Sequence, residues 1–198
     1  MIAALILAGG QARRLGGVDK ALLRLAGRPL LAWVAQSLRP QLACIGLSAQ
    51  GDPARFAEFG MPVLADGDFA GQGPLAGLLA GLDWAAGQGA TALLSVPCDT
   101  PFVPADLVAR LIPAPSCAAS SGRVHHLVGL WPVAARLALR EQLTSTPQRD
   151  VAGFGASLRG REIDFPAQPW DPFLNINTRD DLAQAEHILR QGGRYHDG

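Results

Sequence analysis

The chain has 198 residues, 48% of them hydrophobic and 17% charged, which suits one domain with a sizeable core and is short for two. Seventeen basic residues balance seventeen acidic ones, and this neutrality excludes a generally basic nucleic-acid binder and an acidic tail protein. Within the sum, Lys20 is the only lysine, and Asn175 and Asn177 are the only asparagines.

The first ten residues carry Ile2 to Leu7, a continuous apolar run closed by Gly9 and Gly10, which reads as a strand buried on both faces. This uncharged start is followed by Arg13 and Arg14, the reverse of an export signal, and no apolar run approaches the length of a membrane span. A cytoplasmic protein with no membrane or nucleic-acid partner is expected. Leu22 to Leu25 reads as a short strand, and Pro29 opens a helix to about Leu38. Cys44 to Ala49 is a second core strand, Pro53 to Phe59 a short helix, and Pro62 to Ala65 a third strand. Pro74 to Ala86 is a helix, with Leu75, Leu78, Leu79 and Leu82 at helical spacing. Thr91 to Val96 is another buried strand and Pro104 to Leu111 a helix.

Cys117 to Ser121 and Val124 to Trp131 flank Gly122-Arg123 as a hairpin. Val133 to Leu143 and about Arg149 to Leu158 read as helices, and Glu162 to Phe165 as a strand. Thr178 caps a last helix to Arg190, with Asp181 completing a capping-box variant, and the tail from Gly192 reads as frayed. The alternation predicts an α/β fold: a three-layer, mostly parallel sheet with helices on both faces and a Rossmann-like architecture. The whole chain, 1–198, reads as one domain. Cys44, Cys98 and Cys117 are odd in number and far apart, so they read as reduced core residues.

Ligands of such sheets bind beyond the carboxyl ends of the strands, which directs attention to the segments after Leu7, Ala49, Ala65 and Val96. The first runs Leu7-Ala8-Gly9-Gly10 to Gly16-Gly17-Val18-Asp19-Lys20. Its glycines let backbone N–H groups approach phosphates, and Arg14 and Lys20 supply charge. It is neither a GxGxxG fingerprint nor a Walker loop. Asp99 follows the fourth strand, where a carboxylate facing a phosphate loop suits Mg²⁺, although a turn-starting aspartate fits as well. Asp66-Gly67 can be a turn, and Gly71-Gln72-Gly73-Pro74 a plain loop. Alternation puts Asn175 and Asn177 on one face, where neutral amides can meet phosphate or a heterocycle edge. His125 and His126, adjacent on a strand, point to opposite faces and cannot simply share a metal; one could line an acceptor pocket. Trp131, Trp170 and Phe173 read equally as core aromatics or as stacking surfaces.

The run LAGGQARRLGGVDKALLRLAGRPL closely resembles the opening of the molybdenum cofactor guanylyltransferases, with further likeness in VLADGDFAGQGPLAGLLAGL, LLSVPCDTPFVPADL and FLNINTRDDLAQAE. The resemblance spans nearly the whole chain and is least diagnostic between about 121 and 170. It implies transfer of GMP from GTP to the terminal phosphate of molybdopterin, with pyrophosphate released and molybdopterin guanine dinucleotide formed. It also implies Mg²⁺ on Asp99, catalytic roles for Lys20, Arg14 and Asp99, and nucleotide contacts from Leu7, Ala8, Gly9, Gly10, Lys20, Ser48, Asp66 and Asp99. At Ser48 the family often has Asn. The Gly71–Pro74 run is similar to a mobile segment of the family near the nucleotide. Asn175 and Asn177 belong to an Asn-x-Asn-Thr that the family shares, on the acceptor or phosphate side. The nucleotide would occupy about 1–110 and the pterin about 111–190, with cofactor-delivery proteins or apo-molybdoenzymes as further partners. The alternatives are a relative using CTP or a sugar 1-phosphate, and a non-enzymatic carrier of nucleotide or cofactor.

Overall fold

The computed structural model describes residues 1–9, 11–12, 18–145 and 150–192. Seven strands form one sheet: β1 (Ile2–Leu7), β2 (Ile45–Ser48), β3 (Val63–Leu64), β4 (Ala92–Pro97), β5 (Ser116–Ser120), β6 (Arg123–Pro132) and β7 (Arg161–Asp164). Their spatial order is 3-2-1-4-6-5-7. Every neighbouring pair is parallel except the two made by β6. The helices are α1 (Leu30–Leu38), α2 (Pro74–Gly87), α3 (Leu107–Leu111), α4 (Arg136–Ser145), α5 (Val151–Ser157) and α6 (Arg179–Gln191).

The two central strands, β1 and β4, are apolar at nearly every position because both faces are covered. Ala4 and Ile6 point to the layer holding α1 and α3. Ala3, Leu5 and Leu7 point to the layer of α2, α4 and α5. This is the expected three-layer arrangement. Gly81 lets α2 lie close to the sheet, since a Cβ there would come within 3.0 Å of Leu93 Cδ2 and 3.1 Å of Leu5 Cγ. A smaller cluster of Leu25, Leu30, Phe102, Ile176, Ala185 and Ile188 fastens α6 beside the carboxyl edge of the sheet.

Several expected boundaries move, each for a local reason. Lys20–Leu22 is a 3₁₀ turn, because the Asp19 side chain accepts from Ala21 N, and only Arg24–Leu25 is extended. Pro29 pairs in a two-residue ribbon with Arg24, so α1 begins at Leu30. Pro53–Phe59 is a 3₁₀ helix rather than an α-helix. Leu107 N donates to Pro104 O at 3.2 Å, a tight turn that delays α3 to Leu107. A 3₁₀ turn, Val133–Ala135, precedes α4, and the Asp150 side chain caps α5. The hairpin is real, but its turn is Ser121-Gly122, not Gly122-Arg123. Both turn residues have positive φ, 50° and 72°, and Arg123 already pairs with Ser120. Farther along, four residue steps of β6 (His125 to Gly129) match one residue step of β5, a bulge. His125 packs on Phe173 in the α1 and α3 layer, whereas His126 lies beside Trp131 and Ala152 on the α5 side, so the two point to opposite faces. Trp131 and Phe173 are core residues, 2% and 1% exposed, so neither offers a stacking face. Of the three free cysteines only Cys98 is fully buried. No helix among the described residues is long and apolar enough to cross a membrane.

Candidate functional site

Parallel pairing in register puts the ends of β1, β2, β3 and β4 on one edge: Leu7 lies beside Ser48 and Pro97, and Ser48 beside Leu64. The ladder runs one residue further, with Ala8 N donating to Ser48 O at 2.8 Å and Cys98 N to Leu7 O at 3.0 Å. The Ala8 N–H is therefore engaged within the protein and is not available to a phosphate. Gly9 is exposed, and a Cβ there would meet nothing within 4 Å. Packing does not require this glycine, whereas close approach by a ligand would. Gly10 and Arg14, both expected in the site, lie outside the described residues.

Lys20 leaves the capped turn after Asp19 and reaches across the edge. Its Nζ donates to Asp99 Oδ2 and to Asn177 Oδ1. Residues 79 and 157 positions apart thus meet at one ammonium group. Both ion-pair side chains are largely enclosed, Lys20 14% and Asp99 12% exposed. Asp99 Oδ1 is buried without a hydrogen-bond partner among the described residues. An orphaned carboxylate oxygen is costly unless a ligand or cation meets it. No group of three or more His, Cys, Asp or Glu side chains assembles among the described residues. A cation here would therefore depend on Asp99 together with substrate oxygens and water, which is how Mg²⁺ is commonly held.

The Asn-x-Asn segment crosses beside Asp99. Ile176 is fully buried and its N–H donates to Asp99 O at 3.0 Å, leaving the flanking asparagines toward the edge. The Asn175 amide oxygen is buried and has no partner among the described residues. Asn177 N and Thr178 N both donate to Asp181 Oδ2 at 2.8 Å, and Thr178 Oγ1 accepts from Asp181 N at 3.1 Å. Desolvation would raise the Asp181 pKa, but these hydrogen bonds and the Lys20 charge outweigh it and hold the carboxyl below its ordinary value.

On the other flank, Asp66 accepts from Ser48 Oγ at 3.4 Å and from Gln50 Nε2 at 2.8 Å. Gly77 of α2 faces this pair, since a Cβ on it would collide with Ser48 Oγ. Gly71 and Gly73 hold positive φ, 81° and 79°, on the approach to α2, and between them the Gln72 side-chain oxygen is buried and unpartnered. Sequence reasoning passed over Gln50 and Arg55. Arg55 joins the flanks: Nε lies 3.3 Å from Asp19 Oδ2, its guanidinium donates to Gln50 O, and it stacks on Phe56. The strand-end rule points to the loop after β2, but no residue pattern singles out which polar groups there turn inward. Cys98 is no nucleophile: burial first, then the Asp99 charge, push its thiol far above the ordinary range.

A family model described as the MobA-like NTP transferase domain matches residues 4–158. The chain belongs to this family. It is thus a nucleotidyltransferase, as the family resemblance of its first loop implied. It is 57% identical over 183 residues to the molybdenum cofactor guanylyltransferase of Acidiphilium cryptum, covering 92% of this chain and 93% of that one. It is 52% identical over 191 residues to the protein of the same name from Cereibacter sphaeroides, covering 94% and 96%. The solved molybdopterin-guanine dinucleotide biosynthesis protein A of Archaeoglobus fulgidus shares the fold at a TM-score of 0.70 and 22% identity, covering 96% of this chain and all of that one. The 2-C-methyl-D-erythritol 4-phosphate cytidylyltransferase of Thermus thermophilus shares it at 0.63 and 22%, covering 95% and 98%.

Proposed function

We propose that this protein transfers GMP from GTP to the terminal phosphate of molybdopterin, releasing pyrophosphate and forming molybdopterin guanine dinucleotide. The observation that carries the reading is the Lys20 ammonium group held between Asp99 and Asn177, beside the glycine-rich end of β1. The names of its close relatives support the choice of substrates.

The chemistry requires no covalent nucleophile, because phosphoryl and nucleotidyl transfers depend mainly on in-line positioning and charge stabilisation. Asp99 would hold Mg²⁺ through its unpartnered Oδ1. The ion would supply charge neutralisation on phosphate oxygens. Lys20 keeps one proton beyond the two it donates among the described residues, and directs it at charge developing on the α-phosphate and the leaving pyrophosphate. Arg14 would add a second cation. Leu7, Ala8, Gly9 and Gly10 would line the nucleotide, through exposed backbone at Gly9 and through shape at Ala8. Ser48 and Asp66 would bind the nucleoside. Asn175 presents an oxygen that only accepts, which suits the amino and ring N–H groups of a pterin better than a phosphate.

The nucleotide would thus occupy roughly residues 1–110, and the acceptor the part from 111 to 190. We place the reaction in the cytoplasm, with delivery of the product to apo-molybdoenzymes or cofactor carriers. The test is pyrophosphate release in the presence of molybdopterin and Mg²⁺, with GTP, CTP or UTP supplied in turn. Release with GTP alone is expected. Preference for CTP, or equal release with a sugar 1-phosphate as acceptor, would overturn the assignment, and no release with any nucleotide would point to a carrier.

A further inference from the structure

One buried polar cluster has no part in the scheme above. Ser120 ends β5, His125 lies on β6, and Asp171 begins the segment that leads to Asn175. Ser120 Oγ is 2.7 Å from His125 Nε2 and 2.7 Å from Asp171 Oδ1. Ser120 is fully buried and His125 is 8% exposed.

Counting protons fixes the direction of this chain. The Asp171 carboxylate only accepts, and its Oδ1 takes the Ser120 hydroxyl proton and the Phe173 N–H at 2.9 Å. Ser120 has one proton, already given to Asp171, so toward His125 it accepts. His125 therefore carries its proton on Nε2, and the order is His125 to Ser120 to Asp171. A hydrolytic triad places the histidine between serine and carboxylate. Here the serine is in the middle, buried, with its proton directed away from the imidazole, so it is not an activated nucleophile.

The cluster grips one thing, the start of the strap that carries the two asparagines. The His125 ring packs on Phe173 with centroids 5.0 Å apart, and Phe173 packs edge-on against Phe165 at 5.1 Å. Two residues after Phe173 comes Asn175, and at the far end the Asp181 carboxylate holds the backbone of Asn177 and Thr178. The strap is pinned at both ends, with its middle bonded to Asp99 O through Ile176 N.

We propose that Ser120, His125 and Asp171 are positioning residues for the acceptor side of the reaction: a buried strut that fixes the height of Asn175 and Asn177 over Lys20 and Asp99. The proposal rests on the reading that this edge is the transferase site. Misplacing reacting groups by about 1 Å costs on the order of 100-fold in rate. The strut touches neither Ser48 nor Asp66, so its loss should spare the nucleotide.

The experiment compares Ser120→Ala, Asp171→Ala and Asp171→Asn with the unaltered protein. Asparagine at 171 keeps the oxygen that accepts from Ser120 and Phe173 N. Three quantities are read: kcat/KM for molybdopterin by pyrophosphate release, the GTP dissociation constant by calorimetry, and backbone amide exchange over residues 173–178. For the two alanine variants we expect a fall in kcat/KM for molybdopterin of about 10- to 100-fold. GTP affinity should stay within about threefold, and exchange should quicken in the strap. Asp171→Asn should restore most of the rate. Unchanged rate and exchange in the alanine variants would overturn the proposal, as would an equal loss of GTP affinity or an Asp171→Asn variant as impaired as Asp171→Ala. If the unaltered protein releases no pyrophosphate, the functional reading fails. The exchange measurement then still decides whether the cluster holds the strap.

Discussion

Removing the Lys20 side chain separates two effects that the structure joins. In the free protein the ammonium group is the partner of Asp99 Oδ2 and Asn177 Oδ1. Lys20→Ala leaves both oxygens of a mostly enclosed carboxylate unpaired, since Oδ1 already lacks a partner. Losing a hydrogen bond to a charged group costs about 1.5–3 kcal/mol. Breaking a fully buried pair costs about 3–5 kcal/mol. The remaining exposure, 14% and 12%, admits water and favours the lower range, about 2 kcal/mol. An unfolding entropy of about 2.1 cal/mol/K per residue over 198 residues gives roughly 0.4 kcal/mol/K, so Tm should fall by about 5 °C. Turnover should fall far more, by about 10²–10³, the usual effect of deleting one group that stabilises transition-state charge. Thermal melts followed by circular dichroism, and pyrophosphate release with GTP and molybdopterin, measure the two effects separately. Adding Asp99→Asn to Lys20→Ala removes the unpaired charge, so Tm should recover while the rate does not. Near-normal pyrophosphate release by Lys20→Ala would refute the catalytic role. Recovery of both quantities in the double variant would show that the lysine acts only on stability.

Three further outcomes follow from the same geometry. Asp99→Ala should abolish Mg²⁺-dependent turnover, and an Mg²⁺ titration with normal rate and dependence would move the metal elsewhere. Gly77→Ala drives a methyl group into Ser48 Oγ, at a cost of about 1–3 kcal/mol, and should raise KM for GTP by loosening the Ser48–Asp66 contact; an unchanged KM would remove Ser48 from the nucleotide site. Burial lowers the His125 pKa from its ordinary 6.5, opposed by the charge of Asp171 and aided by Arg123 and His126. The folded state therefore refuses a proton that the unfolded chain accepts, so stability is unaffected well above 6.5 and is lost as pH falls below it. Denaturant melts from pH 8 to pH 5 should show that loss, smaller in His125→Gln, and identical slopes would exclude the residue as its source.

The parts of the fold fixed by apolar pattern were legible in the sequence, and those fixed by a single side chain were not. Ile2–Leu7 and Ala92–Pro97 must be buried on both faces, and a run such as IAALIL admits little else. The hairpin was visible but its turn was placed one residue late, because a glycine fits either slot of a two-residue turn and nothing in the sequence marks Ser121 for a positive φ. Lys20, Asp99 and Asn177 could be suspected from strand ends and from their rarity, whereas their meeting depends on the 3-2-1-4 strand order and on α6 docking beside that edge. Gln50, Arg55, Ser120 and Asp171 carry no signal of that kind, and His125 stood out only as one of an adjacent pair. Gln50 meets Asp66 16 positions away and Ser120 meets Asp171 51 positions away, contacts that only the tertiary packing creates.

The lone lysine among sixteen arginines acquires a physical reason at this edge. Arginine presents a planar fork suited to one carboxylate or phosphate at a time. Lysine presents three donors arranged about a point. Two of them meet oxygens on separate segments, Asp99 after β4 and Asn177 before α6, and the third, with no acceptor among the described residues, is the one the proposed mechanism assigns to substrate. A guanidinium with the same net charge would satisfy Asp99 bidentately and draw the orphaned Oδ1 into the pair, removing an unpaired carboxylate oxygen that a cation at this edge could use. Charge alone is therefore not the property that position 20 supplies. What the position needs is a compact cation that bridges two segments and leaves half of a carboxylate unpaired.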